Sequence, residues 1–191
     1  ALWFSGFSFN LYGQNEAEPI KTLMITGGGP WHDYYTQKKL LEEGLSDRIG
    51  NIDFTIDHEG GEKTDFKFSR HENNDWANEF DLVIYNQCNL FMEDADYVEK
   101  IMNAHVENKV PAVMLHCPMH VYQNATTKWF DFTGAVSYFH ERNRTPFTVE
   151  NVKPDHPIMA NFPGPWRTPK GELYLVVELK ENANPLALAY S

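Results

Sequence analysis

Short apolar runs separated by longer amphipathic segments make up most of the hydrophobic pattern of this chain. The apolar runs have the length of β-strands and predict three of them, at residues 21–26, 81–85 and 111–115, and the alternation of apolar and polar residues at 52–57 predicts a fourth. Between these runs, apolar residues recur at helical spacing, which predicts helices over residues 33–48 and 95–108, with Asp33 as the N-cap of the first. Strands and helices that alternate at this spacing favour right-handed parallel crossovers. We therefore predict an α/β fold with a doubly wound, mainly parallel sheet.

The pattern is less regular in the second half of the chain. Residues 129–132 predict a packed turn or a short helix, and residues 145–149 and 173–177 predict two further strands. Residues 184–190 have the pattern of a strand at the point where the sequence stops, which indicates a longer protein. We therefore predict one α/β domain over residues 21–191, truncated at its carboxyl end.

The first twenty residues differ from the rest of the chain. Residues 1–9 are apolar and aromatic, and residues 14–19 form a polar linker. This order is typical of the end of a secretory signal peptide, which predicts export to a periplasm or to the cell surface. A frayed amino-terminal strand is the alternative. The apolar segment is too short to span a bilayer, so we predict no membrane span.

The composition excludes one class of partner. The 191 residues carry a net charge of −11, which is unfavourable for binding the phosphates of nucleic acids. With 42% hydrophobic residues, the chain can form a sizeable core. Two cysteines, Cys88 and Cys117, are too few for the disulfide framework of a small secreted domain. A disulfide between them, a shared metal and two unrelated thiols are all open alternatives.

The segment from His116 to His120 is the strongest candidate for chemistry. It follows the apolar run 111–115, which predicts a buried parallel strand, and open α/β sheets place their sites at the carboxyl ends of strands. Cys117 could be a nucleophile, but Pro118 after it has no N–H for an oxyanion hole. A buried structural thiol is the alternative. His116 and His120 could instead bind a divalent metal such as zinc, with Cys117 or another nearby thiol or imidazole completing the ligand set.

Polar residues also follow the first predicted strand. A triple glycine that includes Gly28 and Gly29 permits a sharp turn or a close approach to a ligand, but its spacing does not match the dinucleotide-binding fingerprint. His32 and Asp33 come directly after it. We therefore expect them at the same edge of the sheet as the His116–His120 segment, where His32 could be a further metal ligand.

Further candidates lie in predicted loops. His140 and Glu141 place an imidazole beside an acid, and this pair could orient a catalytic residue or bind a sugar hydroxyl. His71 lies in a charged segment, so we predict that it is solvated. Other loop side chains are suited to stacking on sugar rings or bonding sugar hydroxyls: Trp31, Tyr122, Asn86, Gln123 and Asn124.

Several stretches, taken in their order along the chain, resemble the ThuA-like (trehalose utilisation) proteins. They are the glycine loop with Trp31-His32-Asp33, the segment His116-Cys117-Pro118-Met119-His120 with Tyr122, Trp129 to Gly134, His140-Glu141, Asp155 to Ile158, and Gly171-Glu172-Leu173-Tyr174. The resemblance implies a flavodoxin-like three-layer α/β sandwich, similar to class I glutamine amidotransferases, and a role in the use of saccharides, in particular trehalose-type disaccharides. It also implies that the Cys-His-Glu triad of the amidotransferases is not maintained, so glutaminase activity is not expected.

Residues and resemblance together predict an exported enzyme of saccharide utilisation, a hydrolase or an isomerase acting on a sugar or an oxidised sugar, with or without a divalent metal. The predicted catalytic residues are Cys117, His120, His32, Asp33 and Glu141; the predicted substrate-binding residues are Gly28, Gly29, Asn86, His140 and Tyr122; and the predicted metal ligands are His116 and His120. A non-catalytic carbohydrate-binding or accessory domain is the alternative. An enzyme would bring the imidazoles, the thiol and a carboxylate into one pocket, whereas a binding module would have a shallow cleft lined by aromatic and amide groups.

Overall fold

The computed structural model describes residues 17–162 and 164–190, and a parallel sheet lies at its centre. The strands of this sheet are β1 (Ile20–Gly27), β2 (Ile52–Glu59), β3 (Leu82–Gln87) and β4 (Ala112–Met114). They lie in the order β2-β1-β3-β4, and every neighbouring pair is parallel. The predicted α/β fold with a mainly parallel sheet is therefore confirmed.

β1 lies inside the sheet and is buried on both faces. Residues 22–27 are all buried, although successive side chains of a strand point to opposite faces. Leu23 and Ile25 join the main hydrophobic core, whereas Met24 between them points to the other face. Both faces of the sheet are therefore covered, as is usual for parallel sheets in α/β proteins.

Two helices connect the parallel strands, α1 (Tyr34–Ile49) and α2 (Ala95–Asn108). Their bounds agree with the predicted helices. Asp33 and Asp94 cap the two helices, because each carboxylate accepts a hydrogen bond from the backbone N–H three residues further on. The predicted N-cap role of Asp33 is therefore confirmed.

The two helices differ in how much they bury. α2 contributes Tyr97, Val98 and Ile101 to the main core. α1 buries only Tyr34, and Leu40, one of the apolar residues that predicted this helix, is 64% exposed. The main core therefore lies between the sheet and α2.

The strand before the His116–His120 segment is not buried. Residues 111–115 predict a buried strand, but Val113 in the middle of β4 is 41% exposed, and its neighbours are only half-buried. This prediction is wrong because β4 is the edge strand of the sheet and has a neighbour on one side only. Its parallel pairing with β3 nevertheless directs its carboxyl end to the same edge as the ends of β1 and β3.

After the parallel sheet, the chain forms a short helix, α3 (Lys128–Thr133), and two antiparallel sheets. The strands are β5 (Ala135–His140), β6 (Thr148–Asn151), β7 (Trp166–Arg167), β8 (Tyr174–Leu179) and β9 (Ala187–Tyr190). β5 pairs with β8, and β6 pairs with both β7 and β9. The sequence pattern predicted α3, β6, β8 and β9 to within a few residues, but it did not predict β5 or β7.

His71 lies in a 3₁₀ turn, Ser69–Glu72, and is buried instead of solvated. Its Nδ1 lies 2.8 Å from the hydroxyl of Tyr97, and its ring packs against Trp76. The prediction that His71 is solvated is wrong, because a single helical turn directs this one side chain into the core. Its charged neighbour Arg70 instead pairs with Asp57 on β2.

The predicted signal peptide lies outside the described residues and stays a prediction, as does the division at residue 20. Within the described ranges, none of the helices combines the length and hydrophobicity that a membrane crossing requires.

Candidate functional site

The carboxyl ends of three parallel strands meet at one edge of the sheet and place a cluster of reactive side chains there. His32 follows β1, Cys88 follows β3, and Cys117 follows β4. This is the edge at which open α/β sheets usually bind their ligands. The predicted position of the site at this edge therefore agrees with the structure.

His116 forms the turn between β4 and the 3₁₀ turn Cys117–Met119, and its backbone is strained. Its φ of 67° and ψ of −108° lie in a region that residues other than glycine rarely occupy. A strained residue at a sharp strand-to-helix turn is the geometry that presents the nucleophile in elbow-type enzymes. Here that position is held by an imidazole, and the thiol of Cys117 comes one residue later.

Tyr174 at the start of β8 joins the imidazoles and the thiol into one cluster. Its hydroxyl lies 3.4 Å from Nε2 of His116 and 3.4 Å from Nε2 of His120. The same hydroxyl is 4.0 Å from Sγ of Cys117, which in turn lies 3.3 Å from Nε2 of His32. His116 and His120 thus converge on one point across the 3₁₀ turn that lies between them.

Glu172, directly before β8, is the carboxylate of the cluster. One of its oxygens lies 3.0 Å from Nε2 of His116 and 3.7 Å from Nε2 of His140, and the other pairs with Arg144. Burial opposes the ionisation of Glu172, but the electrostatic interactions with His140 and with the Arg144 guanidinium outweigh it and lower the pKa of Glu172. Glu172 is therefore a charged group that orients His116.

These contacts shift the pKa values of the two thiols in opposite directions. Hydrogen bonding from Cys88 lowers the pKa of Cys117, and contacts with His120 and His32 lower it further against the effect of burial. The same contact with Cys117 raises the pKa of Cys88. Cys117 is therefore the thiol that favours the thiolate form, which is the form that binds metals.

The two imidazoles beside Cys117 also respond to their surroundings. Hydrogen bonding to Cys117 raises the pKa of His32. Burial lowers the pKa of His116, which favours its neutral form. A neutral imidazole is the form of histidine that coordinates a metal.

Three of these residues could hold a metal ion together. The ligand atoms of His32, His116 and Cys117 all lie within 4.8 Å of one another. Zinc ligands at about 2.0–2.3 Å in a tetrahedral arrangement lie roughly 3.3–3.7 Å apart, and the 3.3 Å between His32 and Cys117 is in this range. The contact of Glu172 with His116 supplies the orienting carboxylate that commonly accompanies metal-bound histidines. The three residues could therefore hold a metal ion, and the separation of His32 and Cys117 matches a tetrahedral zinc site.

The cluster opens into a cavity of about 340 Å³, which is within the range of small-ligand sites. We name it the cluster cavity. Its lining residues are Trp31, His32, Cys88, Leu90, Cys117, His120, His140, Arg144, Glu172 and Tyr174.

Five of the residues predicted for the site lie in or beside this cavity: His32, His116, Cys117, His120 and His140. The other predicted residues lie elsewhere. Asp33 caps α1, Asn86 bonds to Thr26 and Gln37, and Tyr122 is fully buried against Gln87. Gly28 and Gly29 have positive φ values at the end of β1 and do not line the cluster cavity. Glu141 lines a second, adjoining cavity. The carboxylate that lines the cluster cavity is Glu172 instead.

The sequence did not predict that Glu172, Tyr174 and Arg144 belong to the site. Glu172 and Tyr174 belong to a stretch that carries the resemblance to ThuA-like proteins, and this was the available signal. Their roles depend on how β8 pairs with β5, which brings Tyr174 opposite His140. No local pattern in the sequence encodes that pairing.

Solved structures with a similar fold support the resemblance. A ThuA-like protein of Bacteroides uniformis superposes with a TM-score of 0.63 and 17% identity, over 92% of this chain and 70% of the other. A ThuA-like protein of Parabacteroides merdae gives 0.60 and 19%, over 91% and 69%. A GMP synthase protein of Thermoplasma acidophilum gives 0.54 and 11%, over 90% and 74%. Neither a protein-family model nor a curated protein matches the sequence. The chain therefore has the ThuA-like, class I glutamine amidotransferase-like fold.

Proposed function

We propose that this protein is a saccharide-active enzyme, a hydrolase or an isomerase acting on a sugar or an oxidised sugar. The observation that carries the proposal is the convergence of imidazoles, a thiol, the Glu172 carboxylate and the Tyr174 hydroxyl on one cavity at the carboxyl edge of the sheet. A binding module does not need this concentration of proton-transfer groups and metal ligands. The resemblance of the sequence motifs to ThuA-like (trehalose utilisation) proteins supports a saccharide as the class of substrate.

We further propose that His32, His116 and Cys117 bind a divalent metal, with zinc as the best match to two nitrogen ligands and one sulfur ligand. Such an ion would polarise a hydroxyl or carbonyl oxygen of the sugar. Three protein ligands leave a coordination position for substrate, as in catalytic zinc sites.

His120 and Tyr174 are the groups proposed to move protons. They lie beside the proposed ligands, 3.4 Å from each other, and both face the cluster cavity. A histidine and a phenol at this distance can pass a proton between a sugar hydroxyl and the imidazole. Glu172 keeps the neighbouring His116 oriented by its 3.0 Å contact.

Thiol catalysis by the amidotransferase route is not supported by this geometry. His116, not Cys117, holds the strained turn position, and Pro118 provides no N–H after the thiol. Cys117 is also only 6% exposed. The thiol is therefore proposed as a metal ligand and not as a nucleophile.

Elemental analysis of the purified protein tests the metal centre. We expect about one zinc per chain in the wild type, its loss in Cys117→Ala and its retention in His58→Ala, a control histidine on β2 outside the cluster. NMR assays of product formation from a panel of sugars and keto-sugars then test turnover. Absence of metal in the wild type would contradict the zinc site. Absence of turnover from every sugar by protein that binds them would favour a binding module.

The binding-module alternative is favoured by one observation, the exposure of aromatic side chains near the site. Phe91 and Phe139 are 54% and 56% exposed. A binding module would bind saccharides without converting them, in the wild type as well as in His120→Ala. The enzyme proposal predicts that His120→Ala retains binding but loses turnover.

A further inference from the structure

Cys88 and Cys117, the two cysteines of the chain, lie at matching positions beyond the ends of β3 and β4. The parallel register of these strands pairs Tyr85 with Met114, and the same offset brings the two cysteines level with each other. The alignment continues past the end of β4, because the backbone N–H of Leu115 donates to the carbonyl oxygen of Tyr85 at 2.9 Å. The two cysteines therefore follow neighbouring strands at the same level of the sheet.

The spacing of the two cysteines suits a disulfide. Neighbouring strands of a sheet lie about 4.7–4.9 Å apart, which is within the range of about 4.4–6.8 Å between Cα atoms that a disulfide joins. The thiols are also in contact, since the thiol of Cys88 donates a hydrogen bond to Sγ of Cys117. Both thiols are reduced in the structure. A bond between the two sulfur atoms therefore needs only a local adjustment of the side chains.

The cluster cavity gives small molecules access to these thiols. Both cysteines line the cavity of about 340 Å³, although little of either side chain is exposed. His32 lies in the same wall, and its Nε2 is 3.3 Å from Sγ of Cys117, which allows the imidazole to accept the thiol proton. A molecule as small as a peroxide can therefore meet a thiol that has both a base and a second thiol beside it.

We infer that Cys88 and Cys117 are a redox-active pair, a modification site at which hydrogen peroxide forms a disulfide between them. When no metal is bound, Sγ of Cys117 attacks the peroxide; an S–O bond forms, the O–O bond breaks, and the hydroxide that leaves takes up the thiol proton as water. Sγ of Cys88 then attacks the sulfenic acid on Cys117, forms the S–S bond and releases the oxygen with the second thiol proton as water. The two thiols lose two electrons and two protons, and the peroxide is reduced to two molecules of water.

The disulfide also has a consequence for the metal site. Cys117 is one of the three proposed ligands, and its sulfur atom in a disulfide is no longer the thiolate that binds zinc. Oxidation of the pair therefore releases the ion, and a thiol reductant restores the ligand set. This consequence, unlike the pair itself, rests on the proposed function.

Alkylation of the purified chain after treatment with hydrogen peroxide tests the pair. A chelator keeps Cys117 free of metal during the treatment, and alkylation of the denatured chain followed by mass spectrometry counts the thiols that remain of the two. We expect the wild type to lose both alkylation sites and to yield one cross-linked peptide that contains both cysteines. A thiol reductant should restore both sites.

Two single-cysteine variants check that the thiols act together. In Cys88→Ser, the sulfenic acid on Cys117 has no partner thiol, so it should persist and react with dimedone, whereas the wild type should give little of this adduct. In Cys117→Ser, the thiol of Cys88 should keep its alkylation site, because it lacks the thiol that attacks the peroxide. The wild-type measurement needs neither variant, so the test does not depend on their folding.

The outcomes separate the redox pair from the proposed metal centre. Persistence of both thiols, or oxidation of each to a sulfinic acid without a disulfide, overturns the pair whether or not the protein binds zinc. A disulfide in a protein that never holds zinc supports the pair and contradicts the metal site. In a protein that holds zinc, release of the ion on oxidation supports the coupling, and retention of the ion by the disulfide form overturns it.

Discussion

The strained backbone of His116 predicts which of two variants at this position, glycine or alanine, is the more stable. At an ordinary backbone position, alanine is more stable than glycine by about 0.5–1 kcal/mol, because glycine loses more conformational entropy on folding. At a φ of 67° and a ψ of −108°, a residue with a Cβ atom instead carries a strain of about 1–3 kcal/mol that glycine does not. We therefore expect His116→Gly to be more stable than His116→Ala.

The magnitude follows from the difference between the two variants. Both lose the same contacts of the imidazole with Glu172 and Tyr174, so these contributions cancel. Strain relief of about 1–3 kcal/mol, reduced by the entropy cost of about 0.5–1 kcal/mol, leaves His116→Gly more stable by roughly 0–2.5 kcal/mol, with a central value of about 1 kcal/mol. For a chain of this length, 1 kcal/mol corresponds to a shift of about 2–4 °C in the melting temperature.

Denaturant unfolding followed by tryptophan fluorescence measures this difference. The experiment is carried out with a chelator, because a metal bound to the native state would add its own stabilisation to variants that still bind it. Asn73 provides the control, since it is exposed and has an ordinary φ of −74° and ψ of 135°. There Asn73→Ala should be more stable than Asn73→Gly. If His116→Ala proved more stable than His116→Gly, as at an ordinary position, the argument from strain would be refuted.

Three further predictions follow from other parts of the molecule. Burial lowers the pKa of His71 to about 3, so between about pH 6.5 and pH 3 the unfolded chain binds a proton that the native chain does not. The free energy of unfolding should therefore fall with decreasing pH by up to about 1.4 kcal/mol per pH unit. Urea titrations at each pH measure this slope, and His71→Phe should reduce it. Asp33→Ala and Asp94→Ala should each destabilise the protein by about 1 kcal/mol through loss of a helix cap. If capping is the only role of Asp33, Asp33→Ala should match the wild type in metal content and in saccharide affinity. Removal of zinc by a chelator should lower the melting temperature of the wild type but leave that of Cys117→Ala unchanged; an equal shift in both would place any metal elsewhere.

The parallel sheet could be predicted from the sequence because its pattern is local. β1, β3 and β4 are short apolar runs, β2 alternates apolar and polar residues, and the helices between them have apolar residues at helical spacing. The cluster at the carboxyl edge followed from the same pattern, since strand ends in a parallel sheet share an edge. His32, Cys117 and His120 were therefore predicted together before any contact was known.

What the sequence did not predict depends on long-range pairing. Glu172 reaches His116 only because β8 pairs with β5, and β5 itself has no clear alternation of apolar and polar residues. The burial of His71 depends on packing against α2, which its charged neighbours do not indicate. Val113 was misjudged for the same reason, because an apolar run does not reveal whether its strand lies inside a sheet or at an edge.

The division of the cluster between two sheets has a consequence for its dynamics. His116 and Cys117 lie at the end of the parallel sheet, whereas Glu172 and Tyr174 arrive with the separate β5–β8 sheet. That small sheet buries little apolar surface, and Val177 in β8 is 61% exposed. Segments of this kind open locally at a lower free energy than the global unfolding of the core. The fraction of molecules with a complete site then depends on how often the β5–β8 sheet opens. Amide hydrogen exchange in β8 measures this opening while the parallel sheet stays folded.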